Sequence, residues 1–353
     1  MAIVSAPAAA IAPLAALAIA VALDLAIAEP PARVHPVALF GSVAGRFDRS
    51  WSRPRLVGVA VAVGLPIVAA AVAGGIVAVV VAAAPSSRAS LAHPVLVAGA
   101  ILFSTVSLRM LLATTAEVVS LTETDPDAAR ESVRALAGRD ATDLTPADLR
   151  SAAVESAAEN LADGFVAPLC GFALGAAVGL AVGPTAGTAV VGSGATLPLV
   201  AGVVGAVWVK AVNTLDSMLG YRSKPVGWAS ARLDDAVMFL PARATAGCLA
   251  VATGAIDVLR RAAAWADEPG SPNSGWPMAT AAAALDARLE KPGHYVLNPD
   301  ATPPSVADAE RAVRLVGVAG GIAVALAAGW LAAVGWSVAA GWLPTSAGVV
   351  GWS

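Results

Sequence analysis

The sequence predicts an all-α, polytopic membrane protein with helical loops gathered on one face of the bilayer. Three observations predict it. Of 353 residues, 58% are apolar and only 13% charged, about half the roughly 25% charged of an ordinary soluble domain. The charge falls in clusters, separated by uncharged stretches that reach the ~20 residues a helix needs to cross hydrocarbon. Lys and Arg also sort by loop, alternating between rich and poor. The net charge of −3 offers nucleic acid no basic surface, so none is expected as a partner.

Six apolar stretches are the candidate spans: about 7–28, 56–84, 95–113, 165–183, 197–212 and 315–343. The first ends at Ala26-Ile27-Ala28, which resembles a signal-peptide cleavage site. No Lys or Arg precedes Arg33, so the basic start of a secretory signal is missing and the stretch is expected to remain as a span. The second and the last are long enough to tilt. A further stretch, 240–259, contains Arg243 and Asp257. Two readings stay open for it: a seventh crossing, or a re-entrant or interfacial helix buried against protein. Cys170 and Cys248 lie in apolar surroundings outside any C-x-x-C pattern, which argues against a disulfide framework or zinc site.

Loop charge sets the orientation, because basic residues favour the cytoplasmic side of short loops. Loop 29–55 carries Arg33, Arg46, Arg49, Arg53 and Arg55. Loop 85–94 has only Arg88, and loop 184–196 has no charge. The N-terminus is then outside, 29–55 inside, 85–94 outside, 114–164 inside, 184–196 outside, 213–314 inside and the C-terminus outside. Of the 22 basic residues, only Arg88 breaks the pattern, provided that 240–259 does not cross. The expectation is a single integral domain, 1–353, in the cell membrane, with its working face cytoplasmic on segments 114–164 and 213–314.

Those inner segments hold dense polar groups beside membrane-depth sequence. Pro30 and Pro36 force an extended turn that presents His35 at the interface. Glu155 and Glu159, four apart, share a helical face, with Asn160 and Asp163 on an adjoining one. Acidic groups so close to lipid are costly unless paired or metal-bound, and Mg²⁺ shared with a phosphate would satisfy them. A solvated helix end is the bland alternative. Lys210, Asn213, Asp216 or Ser217, and Gly220 draw a polar stripe along one helix. Arg232 with Lys210 suits phosphate, while Asp234 and Asp235 suit a metal or those cations. In Ser271-Pro272-Asn273-Ser274-Gly275-Trp276-Pro277 the turn residues imply order, and Trp276 could stack on a flat ligand or anchor at the interface. Between the spans, Thr124-Asp125-Pro126 and Thr145-Pro146 read as helix starts of a helical hairpin over 120–151.

These strings resemble the adenosylcobinamide-phosphate synthase family of cobalamin biosynthesis. The likeness rests on Pro30, His35-Pro36-Val37 and Gly41; on Glu155-Ser156, Ala158-Glu159-Asn160 and Asp163-Gly164; and on Lys210-Ala211-Val212-Asn213-Thr214-Leu215-Asp216-Ser217-Met218-Leu219-Gly220-Tyr221. It continues through Gly227-Trp228-Ala229-Ser230-Ala231-Arg232-Leu233-Asp234-Asp235, Pro241-Ala242-Arg243 and the 271–277 turn. The family usually has Gly-Asp-Pro where this chain has Ala28-Glu29-Pro30.

The resemblance implies a reaction: an amide ligation of adenosylcobyric acid, through a propionate carboxylate, to aminopropanol or its O-phosphate, with ATP and Mg²⁺ as cofactors. A carboxylate and an amine do not condense in water, so the acid must be activated, and phosphoryl transfer does so with cations aimed at the phosphoryl oxygens. On that reading Glu155, Glu159, Asp216 and His35 are the catalytic candidates, with His35 or a carboxylate as the base. Lys210, Asn213, Ser217, Arg232, Asn160, Asn273, Trp276 and Trp228 are the substrate-binding candidates, the two Trp against the corrin edge. Asp163, Asp234 and Asp235 are the metal candidates, and Arg243 a further phosphate-binding cation. No G-x-x-x-x-G-K-[ST] occurs, so any ATP site is not a P-loop. Expected partners are the two substrates, the lipid bilayer and other cobalamin-assembly enzymes. A transporter would place its polar site near the midplane rather than on one face. A Mg²⁺-dependent head-group transferase would carry D-G-x-x-A-R, which Asp163-Gly164-Phe165-Val166-Ala167-Pro168 breaks at the Arg.

Overall fold

A computed structural model describes residues 6–83, 91–137, 141–183, 196–221 and 223–342. Arg88, Arg139 and Arg222, and most of the expected outer loops 85–94 and 184–196, lie outside the described residues. In chain order the helices are α1 (Ala6–Ile27), α2 (Pro36–Ala44), α3 (Pro54–Ala83), α4 (Ala92–Phe103), α5 (Leu108–Thr124), α6 (Pro126–Ala137) and α7 (Pro146–Leu161). They continue with α8 (Ala167–Val182), α9 (Leu197–Leu219), α10 (Trp228–Val237), α11 (Phe239–Thr253), α12 (Asp257–Ala262), α13 (Gly275–Leu285) and α14 (Val306–Ala339). The sheet among the described residues is one antiparallel hairpin, β1 (Leu289–Lys291) with β2 (Tyr295–Leu297), in the register Leu289 opposite Leu297. The protein is an all-α polytopic membrane protein: six helical segments among the described residues are long and apolar enough to cross a bilayer.

The chain divides into two compact units where the sequence reads as one domain. The first draws on residues 1–106, 167–234 and 324–353. Here α9 is central and packs on α1, α2, α3, α4 and α8. Its closest neighbour is α8, and the approach depends on missing side chains. A Cβ on Gly171 would come within 2.6 Å of the Gly205 carbonyl oxygen, and one on Gly205 would strike the Gly171 carbonyl. Small residues at such contacts let transmembrane backbones meet where no hydrophobic force drives them together. On α3, Val63, Ile67, Val72, Ile76 and Val79 are exposed, an apolar surface that water would not tolerate and lipid does.

The second unit draws on residues 107–166 and 235–323. In it α7 packs on α5, α6, α13 and β1. The expected start of α7 is present as a capping box. The Thr145 hydroxyl accepts from the Asp148 N–H at 3.2 Å, the Asp148 carboxylate accepts from the Thr145 N–H at 3.0 Å, and Pro146 opens the helix. Asp125 caps α6 by accepting from the Ala128 N–H.

One expected span, and the stretch 240–259 left open above, are both interrupted. The stretch 95–113 is two helices, α4 and α5, broken at residues 104–107. The hydroxyls of Ser104 and Thr105 donate to the carbonyls of Ile101 and Leu102, each at 2.7 Å, and the Ser107 N–H leaves the helix to reach the Gly164 carbonyl at 3.0 Å. Side-chain competition of this kind frees the backbone from its helical ladder. The stretch 240–259 is also interrupted. Gly254, at φ +71°, ends α11 in the left-handed cap that favours glycine, and α12 starts at Asp257. The 15 residues of α11 extend about 22 Å, short of the ~30 Å hydrocarbon core. Together with Pro225–Val237 it forms a pair bent by 46°.

Candidate functional site

The candidates of the first unit begin at His35. Its backbone is extended, Pro36 opens α2 behind it, and its Nδ1 accepts from the Val37 N–H at 3.2 Å, so His35 caps the helix. Burial lowers its pKa below the ordinary 6.5, Glu29 opposes that shift and Lys210 adds to it. The imidazole is therefore neutral at pH 7. With Nδ1 committed as an acceptor, the ring proton sits on Nε2. Upstream, Ala28 lies at φ +69°, the conformation that suits the family's glycine at this place.

The polar stripe of α9 is one continuous helical feature, because α9 runs on to Leu219 rather than ending at 212. Asn213 is buried, and its Nδ2 faces the Asp234 carboxylate at 3.5 Å. Ser217 is exposed, and its hydroxyl donates back along the helix to the Asn213 carbonyl at 3.0 Å. One carboxylate oxygen of Asp216 is buried, and a Cβ on Gly220 would fall on that carboxylate. Gly220 therefore makes room for Asp216 at the end of α9. Lys224 turns back across this end, donating to the Met218 carbonyl at 3.2 Å and pairing with Asp48 at 2.7 Å. On α10, Arg232 and Trp228 are exposed, and the Arg55 guanidinium stands 6.0 Å from the Trp228 ring. His35, Lys210, Asn213, Asp216, Ser217, Trp228, Arg232 and Asp234 all belong to this unit.

Glu155, Glu159, Asn160, Asp163, Asp235, Asn273 and Trp276 belong to the second. Glu155 is fully buried on α7. The Ser151 hydroxyl donates to its Oε1 at 2.8 Å and the Tyr295 hydroxyl to its Oε2 at 2.7 Å. Ser151 in turn accepts from the Glu290 N–H at 2.7 Å, so this network ties both strands of the hairpin to α7. Asn160 donates to the Ser156 carbonyl at 2.9 Å. Glu159 and Asp163 are half-buried. Asp163 sits on a π-helical turn, Ala162–Val166, a rare geometry that recurs at functional sites. Asn273 is 5% exposed. Its Oδ1 accepts from Arg243 at 2.9 Å and its Nδ2 donates to the Asp235 carbonyl at 2.7 Å.

Tyr295 and Ser151 are absent from the sequence-derived candidates. Ser151 precedes Glu155 by one helical turn and could have been found from that spacing. Tyr295 is 140 residues away, and no local pattern signals it. No group of three or more His, Cys, Asp or Glu side chains converges among the described residues. The donor set therefore does not form an all-protein metal cage.

Comparison with known proteins agrees with the motifs. Residues 17–316 match the family described as CobD/Cbib protein. A probable cobalamin biosynthesis protein CobD of Methanothrix thermoacetophila is 34% identical over 310 residues, covering 85% of this chain and 91% of that one. The cobalamin biosynthesis proteins CobD of Rhodobacter capsulatus and Mycobacterium tuberculosis are 35% and 34% identical, over 80% and 81% of this chain and 84% and 85% of theirs. No solved structure matches. With most of its length inside the family match, and the quoted strings lying within it, the chain belongs to the CobD/CbiB family.

Proposed function

We propose that this protein is the adenosylcobinamide-phosphate synthase of a cobalamin pathway, an ATP- and Mg²⁺-dependent ligase. It joins a propionate carboxylate of adenosylcobyric acid to aminopropanol or its O-phosphate. The observation that carries this reading is the α9 stripe, with Asn213 buried beside Asp234, in a chain whose family match spans the whole stripe.

Bound ATP would supply the activation, its terminal phosphoryl group passing to the carboxylate oxygen as ADP leaves. The chain's own groups do the rest. Lys210 and Arg232 offset the phosphate charge, Arg232 through its planar fork. Asp234 in the first unit, and Asp163 and Asp235 in the second, are the candidate carboxylates that one or two Mg²⁺ contacts would draw on. The attacking amine forms the C–N bond as the C–O bond to phosphate breaks, and its surplus proton passes to a carboxylate, for which Asp216 is the candidate. Neutral His35 donates from Nε2 to an oxygen of the reacting group, because a ring with its proton on Nε2 and Nδ1 on the Val37 N–H has no free acceptor. Glu155, closed in by two hydroxyls, acts as the anchor of the hairpin. Exposed Trp228 in the first unit and half-buried Trp276 in the second are each an aromatic face of the kind a corrin edge stacks on.

The test is direct. Purified protein in detergent is incubated with adenosylcobyric acid, aminopropanol phosphate, ATP and Mg²⁺, and the amide is sought by mass. Its formation, dependent on both ATP and Mg²⁺, is expected. Its absence, together with substrate flux in vesicles, would replace the ligase with a transporter. Asp216→Asn should insert normally and lose turnover by about 100-fold or more, the usual scale for a positioned base.

A further inference from the structure

Arg243 has the residue type of a phosphate ligand, yet its surroundings commit it elsewhere. Its Nη1 donates to the Phe239 carbonyl at 3.0 Å and to Asn273 Oδ1 at 2.9 Å, and its Nη2 to the Pro272 carbonyl at 3.5 Å. The guanidinium lies 3.6 Å from the Phe239 ring centroid and 5.4 Å from that of Trp276. Asn273 completes the arrangement. Both ends of its amide are engaged, one by Arg243 and one by the Asp235 carbonyl, and its N–H donates to the Ser271 hydroxyl at 3.3 Å. The end of α10 and the Pro241-Ala242-Arg243 stretch of α11, close in sequence, thus meet the 271–277 turn some thirty residues on through one side-chain amide.

We propose that Arg243 and Asn273 form a clasp that positions Trp276 and the end of α10, and that neither contacts substrate. Both are positioning residues of the ligase proposed above, and the inference rests on that reading only for its kinetic arm. Lysine cannot replace the arginine here. It keeps the charge but has neither the planar fork that serves three acceptors nor the flat face that lies on Phe239.

The experiment compares Arg243→Lys, Asn273→Ala and the double variant in the full-length protein. The clasp predicts that each single variant lowers kcat about 10-fold with the KM for ATP within about 2-fold, a split that follows when ground-state binding is untouched. It also predicts that the double variant is no worse than the poorer single one, because partners in one contact are not additive. A raised ATP KM with kcat kept in Arg243→Lys would make Arg243 a phosphate ligand and overturn the proposal, as would additive losses. A second arm needs no turnover. The chain has nine Trp, so the emission of Trp276 is isolated as the difference between each protein and its Trp276→Phe counterpart. Asn273→Ala should shift that difference spectrum to the red, and an unshifted spectrum in a folded variant overturns the clasp. If the wild type forms no amide, the ligase reading fails while this arm still decides the clasp.

Discussion

At the scale of single residues, Glu155 shows how burial separates two roles that composition cannot. A carboxylate one turn from a second carboxylate and beside apolar sequence suggests metal or acid–base work. The fold instead surrounds it with Ser151 and Tyr295, and hydroxyl donors answer the same desolvation problem that a metal would. Tyr295→Phe leaves one buried oxygen short of a donor and should cost about 1–3 kcal/mol. The measurement is unfolding in detergent, where turnover per folded molecule should stay within about tenfold. A stable Tyr295→Phe protein with abolished turnover would return this pair to the chemistry. His35 gives a pH signature. Its folded pKa is depressed, so the unfolded chain binds the extra proton first, and stability falls as pH drops from above 6.5 toward the folded value. Glu29 and Lys210 are the charged groups that act on it. His35→Asn keeps a capping acceptor and should flatten stability between about pH 5 and 7 relative to wild type, as read by thermal unfolding across that range. The extended turn at His35 is legible in the sequence because Pro30 and Pro36 impose it locally, whereas its hydrogen bond to the Val37 N–H emerges only in the structure. The Glu155–Tyr295 contact is not, because it closes a loop of 140 residues.

At the scale of elements, apolar length located the six helical segments long enough to cross a bilayer, and local capping found the starts of α6 and α7. It missed the break between α4 and α5 because hydropathy averages over Ser104, Thr105 and Ser107, whose hydroxyl and amide bonds act one residue at a time. It also stopped α9 too early. Hydropathy falls where Lys210 and Asn213 begin, yet helical hydrogen bonding continues to Leu219, so the polar stripe lies on the same helix, as its three-to-four spacing implies. The α8–α9 contact carries its own prediction. Gly205 is where a side chain meets the backbone of Gly171 directly, and backbone cannot move aside as a flexible side chain can. Gly205→Leu should force the helices apart and lower stability by about 1–3 kcal/mol, seen as an earlier unfolding midpoint. Gly64 on α3, where a Cβ meets nothing within 4 Å, is the control, and a leucine there should be tolerated. Equal effects at the two positions would mean that helix propensity, not packing, sets the loss.

At the scale of the whole molecule, orientation turns on the stretch between α9 and α14. Hydropathy alone counts α10–α11 as a seventh crossing, while the bend of 46° between them and the early stop of α11 at Gly254 suit a re-entrant pair. The 34 residues of α14 extend about 51 Å, well beyond the hydrocarbon core, so its Arg311 and Arg314 can stand outside lipid at one end. At the other, Trp330 and Trp336, with Trp342 just beyond the helix, are exposed, and aromatic residues of this kind favour the membrane interface. Labelling decides the crossing number without any assay of function. With Cys170 and Cys248 replaced, single cysteines are placed at Ser52, Asp300 and Ala340, all exposed. If α10–α11 is re-entrant, Ser52 and Asp300 react from the cytoplasmic side and Ala340 from the outside. A seventh crossing exchanges the last two, so that Asp300 reacts from outside and Ala340 from the cytoplasm. The re-entrant pattern is expected, because only it keeps Arg260, Arg261, Arg288, Lys291, Arg311 and Arg314 on the basic side of the membrane.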